Sequence, residues 1–266
     1  MTIFSTEALK DEHILITGAT GGIGYETAKA AILAGATVSV TGRNEEKLGK
    51  LKEDCESLHA AGQLIVIPAD LNEAAYRRRL VEEASVKGGS ITGLVNAAGV
   101  SGGDTLDQLK EEDLRKIIEL NYFSTVLLTQ LVYEEMRKKK KGAVVNVSSL
   151  SGLRGTHGNI AYSASKFAIT GFTQSFAVEA IEHGIRVNAV CPGFVNTEMG
   201  RSAIQKKADG AGRSYEEQLK MTEEDLPSGR ITKPEEVARS IVYLLTDAAE
   251  NIIGESLKIS GGSVMR

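Results

Sequence analysis

The chain has 266 residues, 42% of them hydrophobic, with 28 glycines and only 4 prolines; without a three-residue glycine period, this excludes collagen-like and low-complexity chains and leaves a globular one. A net charge of −4 excludes a global basic field for nucleic acid, and two cysteines, Cys55 and Cys191, make neither a disulfide framework nor a metal cluster. No apolar run reaches the roughly 18 residues of a membrane span, residues 1–12 lack the order of a secretion signal, and no histidine pair has metalloprotease spacing, so the expectation is a reduced, cytoplasmic protein with no metal and no membrane or nucleic-acid partner.

The first predicted strand, 13–17, runs straight into Thr17-Gly18-Ala19-Thr20-Gly21-Gly22-Ile23-Gly24 and a helix at 23–33. A glycine-rich strand-to-helix turn presents backbone N–H groups and the positive helix end to a pyrophosphate. A side chain at Gly18 or Gly22 would obstruct that approach, and Gly24 allows the helix to pack closely on the strand. The second strand, 37–41, is followed by Gly42 and Arg43 and then a helix at 45–57. An acidic residue at this strand end suits the ribose of NAD, whereas an arginine suits the extra phosphate of NADP. Arg43 therefore favours NADP(H) over NAD(H), the alternative being a plain surface charge.

Strand 63–68 leads through Asp70-Leu71 to a helix at 73–86, and strand 93–96 ends in Asn96-Ala97-Ala98-Gly99. One long helix, 111–137, carries Asn121 in an apolar setting and ends on the basic run 137–141, where cations suit a helix C-terminus. Strand 143–148 places Ser148 and Ser149 at the carboxyl edge of the sheet, where open α/β sheets bind ligands; a serine there either polarises a reacting oxygen or caps local backbone. In the helix 161–182, Tyr162 and Lys166 share one face. A phenol titrates near 10, and a neighbouring ammonium lowers that value, so Tyr162 can protonate a carbonyl or accept a proton from an alcohol.

Strand 186–191 precedes Pro192-Gly193-Phe194-Val195 and a polar, irregular stretch at about 197–230, read as a substrate lid or as a disordered surface loop. A helix at 234–245, with Pro234 in its first turn, and a strand at 256–259 complete the pattern. Gly35, Gly62, Gly88, Gly142 and Gly184 stand where helix C-caps are expected. Strands alternating with helices in this order predict one α/β domain over 1–266, a doubly wound, seven-stranded parallel sheet with helices on both faces.

Taken together, these motifs resemble the short-chain dehydrogenase/reductase family, of the type with a single Rossmann domain. The matches are TGATGGIG at 17–24, Asp70-Leu71, Asn96-Ala97-Ala98-Gly99, Asn121, Ser149, Tyr162-x-x-x-Lys166 and Pro192-Gly193, in order along the chain. The resemblance implies Tyr162 as acid–base and Ser149, by its separation from the tyrosine, as the group that polarises the substrate oxygen. It implies Lys166 as the group that lowers the tyrosine pKa and bonds the nicotinamide ribose, and Asn121 as the holder of a water that links the lysine to solvent.

Cofactor contacts implied by the resemblance are Gly18, Thr20, Gly22, Ile23 and Gly24 in the turn, with Arg43, Asp70 and Leu71 about the adenosine. Asn96, Ala97 and Gly99 would lie along the cofactor. Pro192, Gly193, the backbone of Val195 and the hydroxyl of Thr197 would lie at the nicotinamide, alongside Tyr162 and Lys166. The chain departs from the family at Ala97, often Asn, and at Ser260, often Asp.

The implied activity is NADP(H)-dependent hydride transfer between nicotinamide and a ketone or secondary alcohol, of the 3-oxoacyl (ACP or CoA) reductase kind. Dehydrogenation of a sugar, 3-hydroxy acid or cyclic alcohol is the alternative, and a non-catalytic dinucleotide sensor would not need all four of Asn121, Ser149, Tyr162 and Lys166. A homotetramer or dimer through the two long helices is also implied. Phe167, Ile169, Phe172 and Phe176 form an apolar strip that fits either that contact or the core, and His157, Phe194 and Met199 either line the pocket or pack the lid.

Overall fold

A computed structural model describes residues 5–265; the first four residues of the N-terminal segment read above, and residue 266, lie outside this range. Seven parallel strands form one sheet in the order β3-β2-β1-β4-β5-β6-β7. In chain order they are β1 (His13–Thr17), β2 (Thr37–Val40), β3 (Gln63–Val66), β4 (Gly93–Asn96), β5 (Gly142–Val147), β6 (Ile185–Pro192) and β7 (Ser256–Ile259). Among the described residues, nine α-helices accompany them: α1 (Gly22–Leu33), α2 (Glu45–Glu56), α3 (Ala74–Gly88), α4 (Glu111–Ile118), α5 (Ser124–Lys139), α6 (Ile160–Ala180), α7 (Glu198–Ala211), α8 (Tyr215–Glu224) and α9 (Pro234–Leu245).

Every residue of β1 is buried, as a strand covered on both faces requires. Alternation then divides the core. Ile14, Ile16, Val38 and Val40 pack with Ala28 and Ile32 of α1, Leu51 of α2 and Ile241 of α9. Leu15, Leu94 and Val144 point the other way, onto Leu80 of α3, Leu128 and Val132 of α5 and Phe176 of α6. The chain moves outward from β1 to β3, then returns to place β4 on the other side of β1. That reversal opens a crevice at the carboxyl ends of β1 and β4, the usual ligand position in open α/β sheets.

Two expectations change. The single helix at 111–137 is three pieces, because a π-helical segment, Glu119–Phe123, separates α4 from α5. The extra residue of such a bulge re-aims side chains and is frequent at functional sites; here it turns Asn121 inward to 1% exposure. The stretch at 197–230 is not irregular: it contains α7 and α8. Thr197 caps α7 by accepting from the Gly200 N–H at 3.1 Å, and Ser214 with Glu217 forms a capping box at α8. These helices bury few apolar side chains, chiefly Ile204 and Ala208, and so lack a periodic signal.

The ends of this insertion are tied to each other. Val195 and Thr232 form an isolated parallel bridge, with Asn196 N donating to Thr232 O at 2.9 Å and Thr232 N to Phe194 O at 2.9 Å.

Among the expected C-cap glycines, Gly35 (φ 92°) and Gly184 (φ 69°) adopt positive φ. Elsewhere the turn falls on neighbours: Gly89 (φ 80°) follows α3, and left-handed Lys140 (φ 52°) ends α5, so Gly88 and Gly142 do not cap. α2 closes at Ser57, and Gly62 instead leads into β3. The basic residues Arg137, Lys138 and Lys139 occupy the last turn of α5, as expected.

Candidate active site

The two serines after β5 leave the strand in different directions. Ser148 is 3% exposed, and its hydroxyl bonds Lys166 O and Thr170 Oγ1, each at 3.1 Å. Ser149 stands near enough to the Tyr162 phenol to pull its pKa down, and its Oγ accepts from Ser151 N at 3.1 Å, capping a short 3-10 turn. The local cap read for that serine is present.

Tyr162 and Lys166 lie in the first two turns of α6. The Lys166 ammonium is buried, donates to Val147 O at 2.8 Å, and stands 5.7 Å from the centre of the Tyr162 ring. Burial pulls the Lys166 pKa down to about 8. The tyrosine departs from expectation: burial pushes its phenol above 10, and Ser149 offsets only part of this. Desolvation of the phenolate outweighs any lowering by the cation, which is aimed at the β5 carbonyl. Tyr162 is thus held protonated at neutral pH.

Asn121 is committed to its surroundings. Its Nδ2 donates to Val100 O at 2.9 Å and to Ser165 Oγ at 3.0 Å, and its Oδ1 accepts from Val100 N at 2.8 Å. A side chain at Gly99 would meet Asn121 Oδ1 at 3.1 Å and Lys166 Nζ at 3.6 Å, so amide oxygen and ammonium face each other across that glycine.

The turn after β1 has the features of an anion cradle. Gly21 caps α1 with no side-chain hydrogen bond, and the first turn carries no acidic residue. Its early N–H groups, Ile23 among them, are available to a phosphate. The glycines are required, but for another reason than obstruction of a ligand. At Gly18 (φ +67°) a Cβ would lie 2.6 Å from Ala97 O, and at Gly22 one would lie 2.6 Å from Thr197 Cγ2. Protein backbone and the α7 cap already fill that space. At Gly24 a Cβ would lie 2.5 Å from Gly18 O, which is the close packing expected there.

A recess beside this turn is lined by Gly18, Thr20, Arg43, Asp70, Leu71 and Gly99 among others. Arg43 is exposed at its rim, and Asp70 accepts from Asn72 N at 3.0 Å. The Asn96 side chain turns away into the sheet: its Nδ2 donates to Thr129 Oγ1 at 3.0 Å and Asn146 Oδ1 at 2.9 Å. Ala97 N and Ala98 N both donate to Thr17 Oγ1 at 3.1 Å.

On the far side, Pro192 ends β6 and Gly193 N donates to Ile259 O at 3.0 Å. Val195 is buried, and its carbonyl accepts from Thr197 N at 2.7 Å. The Thr197 hydroxyl accepts as a helix cap and keeps its proton to donate. Lys47 of α2 reaches Glu198 of α7 at 2.8 Å, spanning the crevice. Of the apolar strip on α6, Ile169 and Phe176 belong to the core, whereas Phe167 is 46% exposed.

Two residues escaped the sequence reading. Thr17 and Ser165 hold site loops through buried hydroxyls, and neither carries a signal apart from its adjacency to a recognised motif.

A family model for short chain dehydrogenases matches residues 12–208. A 3-oxoacyl-acyl-carrier-protein reductase of Thermotoga maritima is 35% identical over 257 residues, covering 97% of this chain and 99% of the relative. An acetoacetyl-CoA reductase of an Acinetobacter species is 32% identical, covering 94% and 97%. Among solved structures, that of an actinorhodin polyketide ketoreductase with NADPH superposes with a TM-score of 0.92 at 31% identity, covering 98% and 99%.

Proposed function

As the chain belongs to the short-chain dehydrogenase family, we propose that it is an NADPH-dependent reductase of 3-oxoacyl thioesters. The carrying observation is Tyr162, a phenol kept protonated by burial, near Ser149 and next to the Lys166 cation. That is the state needed to give a proton to a ketone oxygen as it gains charge. Ser149 orients the same oxygen, and Lys166 supplies positive charge beneath it. Asn121 fixes the loop at Val100, and its Oδ1 faces Lys166 for a water relay. NADPH, when bound, supplies the hydride.

The donor set fits that cofactor: an uncapped helix end for the pyrophosphate, Asp70 and Leu71 for the adenine, and Arg43 for the 2′-phosphate. Arg43 supports preference for NADP(H), since no acidic residue ends β2. The relatives named above act on acyl-carrier-protein and CoA thioesters, which supports the substrate class. α7 and α8 serve as a lid, with Met199 exposed in the first turn of α7 and the Lys207 ammonium 4.6 Å from the centre of the Phe194 ring. Outward Phe167, Val178 and Leu127 on α5 and α6 support assembly through these helices into a tetramer or dimer. Two unpaired, buried cysteines suit a reducing cytoplasm.

The test is NADPH oxidation followed by absorbance against a ketone panel that includes acetoacetyl thioesters. Turnover is expected on the thioesters, falling about 10²–10⁴-fold in Tyr162→Phe with NADPH binding retained. Parent-like turnover by that variant would overturn the assignment of Tyr162.

A further inference from the structure

The buried hydroxyl of Ser165 lies between two groups of the site without touching the crevice. It is fully buried, accepts from Asn121 Nδ2 at 3.0 Å and donates to Tyr162 O at 2.7 Å. Asn121 in turn grips Val100 from both sides, and its own carbonyl accepts from Thr125 Oγ1 at 3.1 Å. Ser165 Oγ therefore joins the π-helical segment to the first turn of α6, and Asn121 extends that link to the loop after β4.

We propose that Ser165 is a positioning residue for proton transfer, tying the π-helical segment to the turn that carries Tyr162 and Lys166. The proposal rests on the reading of Tyr162 as the acid. Both Nδ2 hydrogens of Asn121 are used, one on Val100 O and one on Ser165 Oγ. Removal of that oxygen leaves a buried N–H without an acceptor, which is costly in a dry site. The amide turns to find another partner and releases Val100. At the same time the Tyr162 carbonyl loses its side-chain bond, and the phenol loses its fixed approach to Ser149.

The neighbouring Ser163 provides an internal control. It is also buried on α6, but its hydroxyl has no partner. A small hydroxyl residue is thus needed at 165 for its bonds, not for its size.

The test is steady-state kinetics with direct NADPH titration. Ser165→Ala is expected to lower kcat about tenfold, with NADPH affinity and KM held within about twofold. Ser165→Thr, which keeps the hydroxyl, restores most of kcat, and Ser163→Ala leaves it unchanged. Ser165→Cys, a weaker partner of larger volume, shows an intermediate loss and serves the same purpose should the alanine variant fold poorly. In an Asn121→Ala background, Ser165→Ala has a smaller further effect than in the parent, because the shared bond is already gone and only the bond to Tyr162 O remains to be lost.

Parent-like kcat in Ser165→Ala overturns the proposal, as does a full additive loss in the Asn121→Ala background. So does a loss of kcat that follows NADPH affinity and melting temperature and is not restored by threonine, which marks a merely structural role. Parent-like turnover by Tyr162→Phe refutes a different statement, the role of the tyrosine.

Discussion

Cofactor choice can be tested at two adjacent positions with opposite expectations. Arg43 stands exposed at the rim of the recess beside the β1 turn, after Gly42. Charge-assisted hydrogen bonds contribute about 1.5–3 kcal/mol, and solvent at an exposed site keeps this one near the lower end. Arg43→Ala should therefore weaken NADPH about 10-fold to 30-fold, by the usual conversion of 1.4 kcal/mol per decade, and leave NADH nearly unchanged. The reverse change, an aspartate at position 42 for the NADH ribose, meets a steric obstacle. A Cβ on Gly42 would lie 2.7 Å from Thr20 Cγ2 and 3.1 Å from Thr20 Oγ1. Thr20 is β-branched and short, so it cannot swing clear as a long side chain would. Gly42→Asp alone should thus weaken both cofactors, and NADH preference should appear only when Thr20→Ser removes the methyl. Fluorescence titration of the parent and of each variant with NADPH and NADH measures these affinities. Equal affinity of the parent for both cofactors, or a parent-like response of Gly42→Asp to NADPH, would refute the reasoning.

Two pH dependences follow from buried groups. Lys166 keeps its charge only below about 8, whereas the Tyr162 phenol stays protonated beyond 10. For reduction, kcat/KM should therefore be level near neutrality and decline as pH rises through about 8; Lys166→Arg, which does not deprotonate, should lose that limb at a lower absolute rate, and a flat parent profile past about pH 9.5 would contradict this assignment. His13 is buried, with Nδ1 donating to Gly89 O at 2.7 Å and Nε2 paired with Ser39 Oγ at 2.8 Å, and burial lowers its pKa below 6.5. Below that value the unfolded chain takes up a proton that the folded chain resists, so stability should fall as pH decreases. Urea denaturation across pH 5 to 7 should show that slope in the parent and lose it in His13→Gln; identical slopes would sink the claim.

What the amino acids disclosed on their own depended on whether a signal was local. β1 and its turn were legible because a fully buried strand, a glycine cluster and a helix start adjoin within a dozen residues. Pro234 marked the start of α9 for the same reason. The π-helical segment was not legible, because the partner its Asn121 meets is the distant backbone of Val100, and nothing in Glu119–Phe123 announces that partner. α7 and α8 were hidden by glycines at 200 and 210 and by a polar face, although Ser214 and Glu217 at box spacing could have located the second. Ser149 could be told from Ser148 only by resemblance, and the fold supplies the physical basis in the inward turn of Ser148. The direction of the Tyr162 shift escaped because sequence shows a neighbouring lysine but not the burial that outweighs it.

The bridge between Val195 and Thr232 has a consequence for how such a chain can change. The ends of the stretch from Asn196 to Ile231 are closed by one knot of backbone hydrogen bonds, and Ser228 N to Gly261 O, Lys206 Nζ to Gly103 O and Lys47 to Glu198 tie it down further along. Closing a longer or shorter ring on the same knot changes the entropy only slightly, by about 0.6 kcal/mol for a doubling of length. The insertion can accordingly be recut in length while β6 and α9, to which the knot is anchored, stay as they are. The size of the insertion and the stability of the sheet are in this way placed under separate control.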